Sequence, residues 1–561
     1  MPPTQPDPPQ AHRQPTSRRL AALLTAGVVA TALVAGACGS SKTTTGATTD
    51  AAAPAADPTS AIDSGTPVDG GKLVWGLETD TDSFSPMSGR WDRNGHMMGS
   101  AIFDPLATLD ADGHAVPYLA ESITPANADN TAWDIKLRSG VTFTDGEPLD
   151  AAVVVRNLTE QKKALITGQS LAGMTDVTAV DALTARVTTA APWATFPVIL
   201  ASQVGYMAAP KMIDDSHGGE HPIGTGPFVL QEWVKGDHMT AIKNPHYWQA
   251  GLPHLDELDF KVDLDTQQQV TDLSNGTFDA FTTSTPASVA ALRQNDEVNR
   301  LENSRGEERF ATLNTTVAPF DQLSARQALA YATDIDRFVA ENGNGAYEKV
   351  NGMFAPGQLG YTADTGYPGF DLAKAKTLVQ QYTADTGKPL AFTFMNTDSV
   401  DDLKVSQSLK DMWEAAGMQV TLENIKDEDE VVDVVLGNYQ AADWRNFGQP
   451  DPDGDYIWWH SSSIGKDGSL SLNTARYASP AIDAALDAAR ATTDAGTRDA
   501  QYQEAERQIN AGIPYVWYAR VTSAIGADKR VHGYGEAANG TDATIGPKTW
   551  VAKLWIEPSS S

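Results

Sequence analysis

The chain has 561 residues, enough for several lobes, with 41% hydrophobic and 8% aromatic residues, the share expected of a folded protein. Its formal net charge of −31 repels phosphate backbones and argues against nucleic-acid binding. A single cysteine, Cys38, excludes an internal disulfide framework and a cysteine-built metal site.

Taken in chain order, residues 1–19 are polar and set Arg13, Arg18 and Arg19 against Asp7. Leu20 to Ala37 is apolar, and Ala35-Gly36-Ala37 stands directly before Cys38. A basic start, an apolar middle and small residues at the end form a secretory signal. The stretch is too diluted by Ala, Gly and Thr to make a good membrane span. Small residues before a cysteine resemble the bacterial lipobox, which implies removal of residues 1–37 and lipidation of Cys38. Residues 39–69 are mostly Ser, Thr, Ala, Asp, Gly and Pro with almost nothing large and apolar, so 38–69 is predicted to be a flexible, lipid-anchored tether. A coil of that length spans roughly 30 Å.

Strands are predicted at Gly70–Gly76, entered from a glycine turn, and by apolar–polar alternation at Thr131–Leu137, Asp181–Val187 and Leu258–Val262. Ser324 to Gln327 fits a capping box opening a helix with Leu329 and Ala332 inward. Val405, Leu409, Met412 and Ala416 recur at helical spacing, Gly417 ends that helix, and a strand at Met418–Leu422 follows. Pro480 after Ser479 starts a helix with Ile482 and Leu486 inward, and Tyr502, Ala505 and Ile509 share one face of the next. The class is mixed α/β, richer in strands early and in α/β units late.

Several blocks resemble the bacterial extracellular solute-binding proteins of the dipeptide, oligopeptide and nickel class, family 5. They are Phe103-Asp104-Pro105-Leu106, Leu109 to Gly113, Val116 to Ser122, and Arg138-Ser139-Gly140-Val141-Thr142-Phe143-Thr144-Asp145-Gly146-Glu147-Pro148. The sharpest is Ile223-Gly224-Thr225-Gly226-Pro227-Phe228, with Glu232-Trp233, Lys243 to Trp248 and Pro253 to Leu258. Asn275 to Asp279, Ala325 to Leu329 and Tyr477 to Leu486 continue the order, over roughly residues 70–556. Read as residues alone, Gly224 and Gly226 let the backbone turn before Pro227 fixes it, and Tyr247 and Trp248 are core.

The resemblance implies a periplasmic-binding-protein-like, two-lobed (Venus flytrap) α/β fold with an extra inserted domain, closing on its ligand by a hinge. The expected division is 70–108 for the first part of domain I, 109–205 for domain II, 206–312 for the second part of domain I, 313–525 for domain III, and 526–561 for the last part of domain I with the tail. It also implies a monomer that binds a peptide or peptide-like solute without a cofactor or metal and delivers it to the permease and ATPase subunits of an ABC importer. The expected setting is the cell membrane, lipid-anchored on the extracytoplasmic side.

By the same resemblance, the segment Ala442 to Asp453 faces the cleft, with Asp443, Trp444, Arg445, Asn446, Phe447 and Asp451 as ligand contacts. Phe447 stands where peptide-binding relatives carry the aspartate that pairs with the α-amino group; Asp443 and Asp451 are the candidate replacements. Arg445 either holds a ligand carboxylate or pairs with a neighbouring acid. Ser83, Phe84, Met87 and Trp91 correspond to cleft-lining positions of domain I. Trp458 and Trp459 read as core.

Other classes fit less well. His217-Gly218-Gly219-Glu220-His221 has two glycines against a helical metal site, and Gly168 to Gly173 is one residue too long for a Gly-x-Ser-x-Gly nucleophile turn. No nucleophile–base set emerges, so an enzyme is not expected. The alternatives carried forward are a binder of a metal chelate, heme or saccharide, and a regulatory lipoprotein without a transporter.

Overall fold

A computed structural model describes residues 65–558 apart from 111–112, 264, 267, 448, 450, 467–468, 538–539 and 542–549. The signal segment, Cys38 and the tether up to residue 64 lie outside the described residues.

Strand β1, Lys72–Leu77, turns Leu73, Trp75 and Leu77 to one face, where all three are fully buried. β2 (Phe228–Val234), β3 (His238–Lys243), β4 (Glu257–Val262) and β5 (Ala280–Thr283) complete the sheet of the first lobe. β6, Val298–Leu313, is followed by the short β7, Tyr347–Glu348, then β8 (Ala391–Thr397), β9 (Gln419–Ile425), β10 (Ala441–Phe447) and the long β11, Tyr515–Asp528. All eleven form one sheet in the order β9-β8-β10-β6-β11-β5-β1-β4-β3-β2, with β7 on β11. β6 and β11 run side by side from the first lobe into the second and slip register between Asn303 and Glu307, a bulge at the crossing.

The helices that build the cores and the gap between the lobes are α1 (Arg93–Ile102), α2 (Leu323–Ala332), α3 (Val400–Ala415), α4 (Asp427–Leu436), α5 (Pro480–Arg490) and α6 (Ala495–Gly512). On one face of the second lobe, Leu409, Met412 and Trp413 of α3 pack with Phe392 and Phe394 of β8. On the other, Ile482, Leu486, Tyr502 and Ile509 of α5 and α6 pack with Phe310, Tyr515, Trp517 and Trp459. Trp458 lies partly buried against that second cluster. A separate four-stranded antiparallel sheet, over residues 120–125, 132–137, 174–179 and 184–189, carries its own core around Trp133, Ile135, Val187 and Trp193. This is the mixed α/β, two-lobed fold with an extra domain that the sequence led us to expect.

Two local expectations change. α2 has Gln322 at its N-cap with no side-chain cap bond, and Ser324 already lies in the first turn, so the capping box does not form. Gly224 and Gly226 are set by close approach to another segment. A Cβ on either would come within 2.0–2.5 Å of the Ile102 carbonyl group, where the Gly226 N–H donates to Ile102 O at 2.9 Å.

Those glycines sit beside a buried carboxylate that explains several motif blocks at once. Asp104 accepts from Thr225 Oγ1 at 3.1 Å, Tyr247 Oη at 3.1 Å and Trp248 Nε1 at 2.8 Å. Burial pushes its carboxyl up to about 7, against the pull of those three donors.

Candidate cleft between the lobes

β10 is the strand that brings a binding edge to the gap between the lobes. β8 pairs with it only at Phe394↔Ala441 and Met395↔Ala442. From residue 443 to 447 it keeps β6 on one side, and among the described residues no strand pairs with it on the other. A strand with one free edge offers backbone donors and acceptors to an extended ligand.

The register of β10 on β6 sets Asp443 opposite Ala311, Arg445 opposite Arg309 and Phe447 opposite Glu307. Opposed residues share a face in an antiparallel pair. Asp443, only 7% exposed, is fully engaged: Arg309 Nε donates to its two oxygens at 3.1 and 3.0 Å, and the Tyr518 hydroxyl donates to Oδ1. Arg309 also reaches Asp402 and donates to Tyr347 Oη at 3.0 Å. Burial opposes ionisation of Asp402, but Arg309 and Arg445 hold its carboxyl well below the ordinary value.

Arg445 is the most open charged group of this set, its side chain 38% exposed. It donates to Ser284 Oγ at 3.3 Å and lies 3.8 Å from Glu307 Oε2. Ser284 follows β5 in the first lobe, so the contact spans the gap. Glu307, on the crossing strand, accepts from Ser523 Oγ at 2.8 Å and pairs with Arg93 at the start of α1. Asp92 fixes that start by accepting from Gly95 N at 2.8 Å. The result is a polar chain Arg93–Glu307–Arg445–Ser284 across the floor of the cleft.

Above it, α4 brings two more acids. Glu430 is 6% exposed with Oε1 unpartnered, and burial followed by the neighbouring Asp443, Asp402 and Asp427 pushes its carboxyl up to about 9. Asp427, at the start of α4, has its carboxyl raised by burial, with Arg445 pulling the other way.

The remaining expected residues are distributed as follows. Trp444 is partly buried against the second-lobe core and donates to Asn446 Oδ1 at 3.2 Å; Asn446 is buried. The side chain of Phe447 lies outside the described set. Asp451 is buried, accepts from Asp453 N at 2.9 Å and pairs with Arg498. Phe84 packs edge-on against Trp233 at 4.9 Å, and Trp91 packs against Phe103 and Tyr206, both within the first-lobe core. Ser83 and Met87 line a separate pocket of about 340 Å³ with Met212, His217 and Glu220.

Sequence reasoning missed Arg93, Glu307, Arg309 and Glu430. The available signal was Glu307 and Arg309 two apart in a strand, hence on one face, inside a run whose many charges hid the alternation.

Among the described residues, no helix is long and apolar enough to cross a membrane. Glutathione-binding protein GsiB of Pectobacterium atrosepticum is 26% identical over 458 residues, 78% of this chain and 86% of that one. Among solved structures, the ABC transporter-associated periplasmic binding protein DppA of Helicobacter pylori, in complex with the peptide STSA, matches with a TM-score of 0.78 at 22% identity, over 88% of this chain and 99% of that one. The binding protein AgaA of A. tumefaciens R10, in complex with agropinic acid, matches with a TM-score of 0.77 at 23% identity, over 87% and 99%. The family described as bacterial extracellular solute-binding proteins, family 5, matches residues 114–467, well over half of the sequence, and the chain belongs to it.

Proposed function

We propose that this protein captures a peptide or peptide-like solute between its lobes and hands it to the permease of an ABC importer, held to the membrane by a lipid on Cys38. The observation that carries the reading is the free edge of β10 over residues 443–447, flanked by Arg445. An extended backbone pairs with that edge, and the guanidinium takes a carboxylate by a two-pronged bond. Asp443 is committed to Arg309 and Tyr518, so it does not serve a ligand ammonium. With Phe447 in the aspartate position, the ligand is recognised through its backbone and acid group more than through an α-amino group.

The domain division and the family-derived contacts Trp444 and Asn446 belong to this reading, whereas Asp451, buried and paired with Arg498, is committed in the same way as Asp443. The relative with agropinic acid supports a second one, a carboxylate-bearing solute that is not a peptide.

The test is thermal unfolding of the chain from Gly39 onward, refolded from denaturant to strip co-purified ligand, against di- to pentapeptides, acidic sugar conjugates, nickel chelates and heme. Ligand at 100 times its Kd stabilises by about 2.7 kcal/mol. Stabilisation by free-acid peptides and not by their C-terminal amides supports the reading; stabilisation only by non-peptide acids selects the second; indifference to all of them overturns both. Loss of metabolic lipid labelling on Cys38→Ser, with release into the medium, tests the anchor.

A further inference from the structure

The inserted domain touches the second lobe at a buried joint well separated in the chain from the hinge strands. Trp193, on the loop after residues 184–189, is held by its own domain. Its N–H donates to Asn130 O at 3.0 Å, its carbonyl accepts from Trp133 Nε1 at 3.0 Å, and its ring packs edge-on against Phe196 at 5.4 Å. Its indole N–H leaves that domain and donates to Asp453 Oδ2 at 2.8 Å in the second lobe.

Asp453 is likewise held by its own lobe, accepting from Arg490 Nε at 2.7 Å. The Arg490 guanidinium is sandwiched, 3.4 Å from the Tyr456 ring centre and 4.2 Å from that of Trp193, and its carbonyl accepts from Ala194 N at 2.8 Å. Trp193 and Asp453 are 2% and 3% exposed. The indole hydrogen bond, the Ala194 hydrogen bond and the cation over the indole face all cross the parting surface. Each half is preorganised, so the joint forms with little loss of side-chain freedom. Beside it lies a pocket of about 440 Å³ lined from both sides by Thr195, Pro197, Pro452 and Arg498.

We propose that Trp193, Asp453 and Arg490 form a clasp by which the inserted domain holds the two lobes together. The clasp sets the open-to-closed ratio, and through it the affinity for any solute bound between the lobes, without touching that solute. The inference assumes that the lobes part about β6 and β11, but it is independent of what binds between them. It gives the inserted domain a task in closure.

The chain from Gly39 onward contains no cysteine, so spin or fluorescent labels can be placed at Asp176→Cys in the inserted domain and Lys376→Cys in the second lobe, both exposed. The distance between them is read without added solute, in the otherwise wild-type chain and with Trp193→Phe, which keeps the ring and removes the donor. Arg490→Gln, which removes the cation from between the rings, serves as the second variant should the first fail to fold. We expect the long-distance population to grow relative to the short one by about tenfold in either variant, the size of one lost hydrogen bond to a charged acceptor. Affinity for the best solute of the thermal screen should fall by the same factor. Unchanged distance distributions in folded variants overturn the clasp, as does a single fixed distance in every form, which would mark a permanent joint. A shifted distribution alongside a screen in which nothing binds sustains the clasp and defeats the importer reading.

Discussion

Arg309 and Asp443 meet diagonally across neighbouring strands, two residues out of register, with the guanidinium Nε 3.0 and 3.1 Å from the two carboxylate oxygens and both side chains almost fully buried. The pair removes from the ligand-facing set the acid nearest to Trp444, and it ties the crossing strand to the strand that carries the free edge. Truncating one partner leaves the other charge buried and uncompensated. Asp443→Ala is expected to cost about 3–5 kcal/mol of unfolding free energy, read by urea denaturation. A ligand role would instead leave stability intact and lower affinity alone.

Arg445 should show the opposite pattern. Its side chain is more than a third exposed and its partners, Ser284 and Glu307, keep other contacts when it is removed. Arg445→Ala should change stability by less than about 1 kcal/mol. By the reading above, it should weaken binding of a free-acid peptide by about tenfold to a hundredfold in calorimetry, and leave the amidated peptide unaffected.

Glu430 gives the cleft a pH signature. Its carboxyl stands at about 9 in the folded protein against an ordinary 4.5, raised first by burial and then by three neighbouring acids. A raised folded value means that the protonated form is the stabilised one. That contribution is complete below about pH 4.5 and is lost as pH rises toward 9. Glu430→Gln should therefore flatten the fall of Tm between pH 5 and 9, with the variant overtaking the wild type at the alkaline end. Parallel Tm profiles would contradict the assignment.

Asp104 joins three motif blocks through Thr225, Tyr247 and Trp248. Asp104→Ala strands three buried donors and is expected to cost about 3 kcal/mol or more in chemical denaturation. Asp104→Asn keeps an acceptor and should cost clearly less.

The strands at 72–77, 132–137 and 257–262 and the helix ending before Gly417 were readable because alternation and periodicity are local. The strand expected from Asp181 begins at Thr184, since the Asp181 side chain accepts from Leu183 N and makes a turn first. The motif blocks identified the family, and the structure gives their reason: Asp104, Gly224, Gly226 and Tyr247 meet at one buried junction. The cleft was harder to read. Arg93, Glu307 and Arg445 are far apart in sequence and meet only because the crossing strand passes between α1 and β10, a relation that no local pattern encodes.

The central position of β11 has a consequence for biosynthesis. It lies between β5 and β6, pairing Ala280 with Ala527 on one side and Thr312 with Tyr515 on the other. A ribosome working from the N terminus makes this strand after all the others of the large sheet. Until Tyr515 to Asp528 emerge, the nascent chain carries two half-sheets whose inner edges are bare, the arrangement that invites pairing with other chains. A product truncated anywhere before Tyr515 is therefore expected to aggregate instead of yielding a shortened binder, and the nascent chain has to be kept from premature pairing until its final stretch is complete.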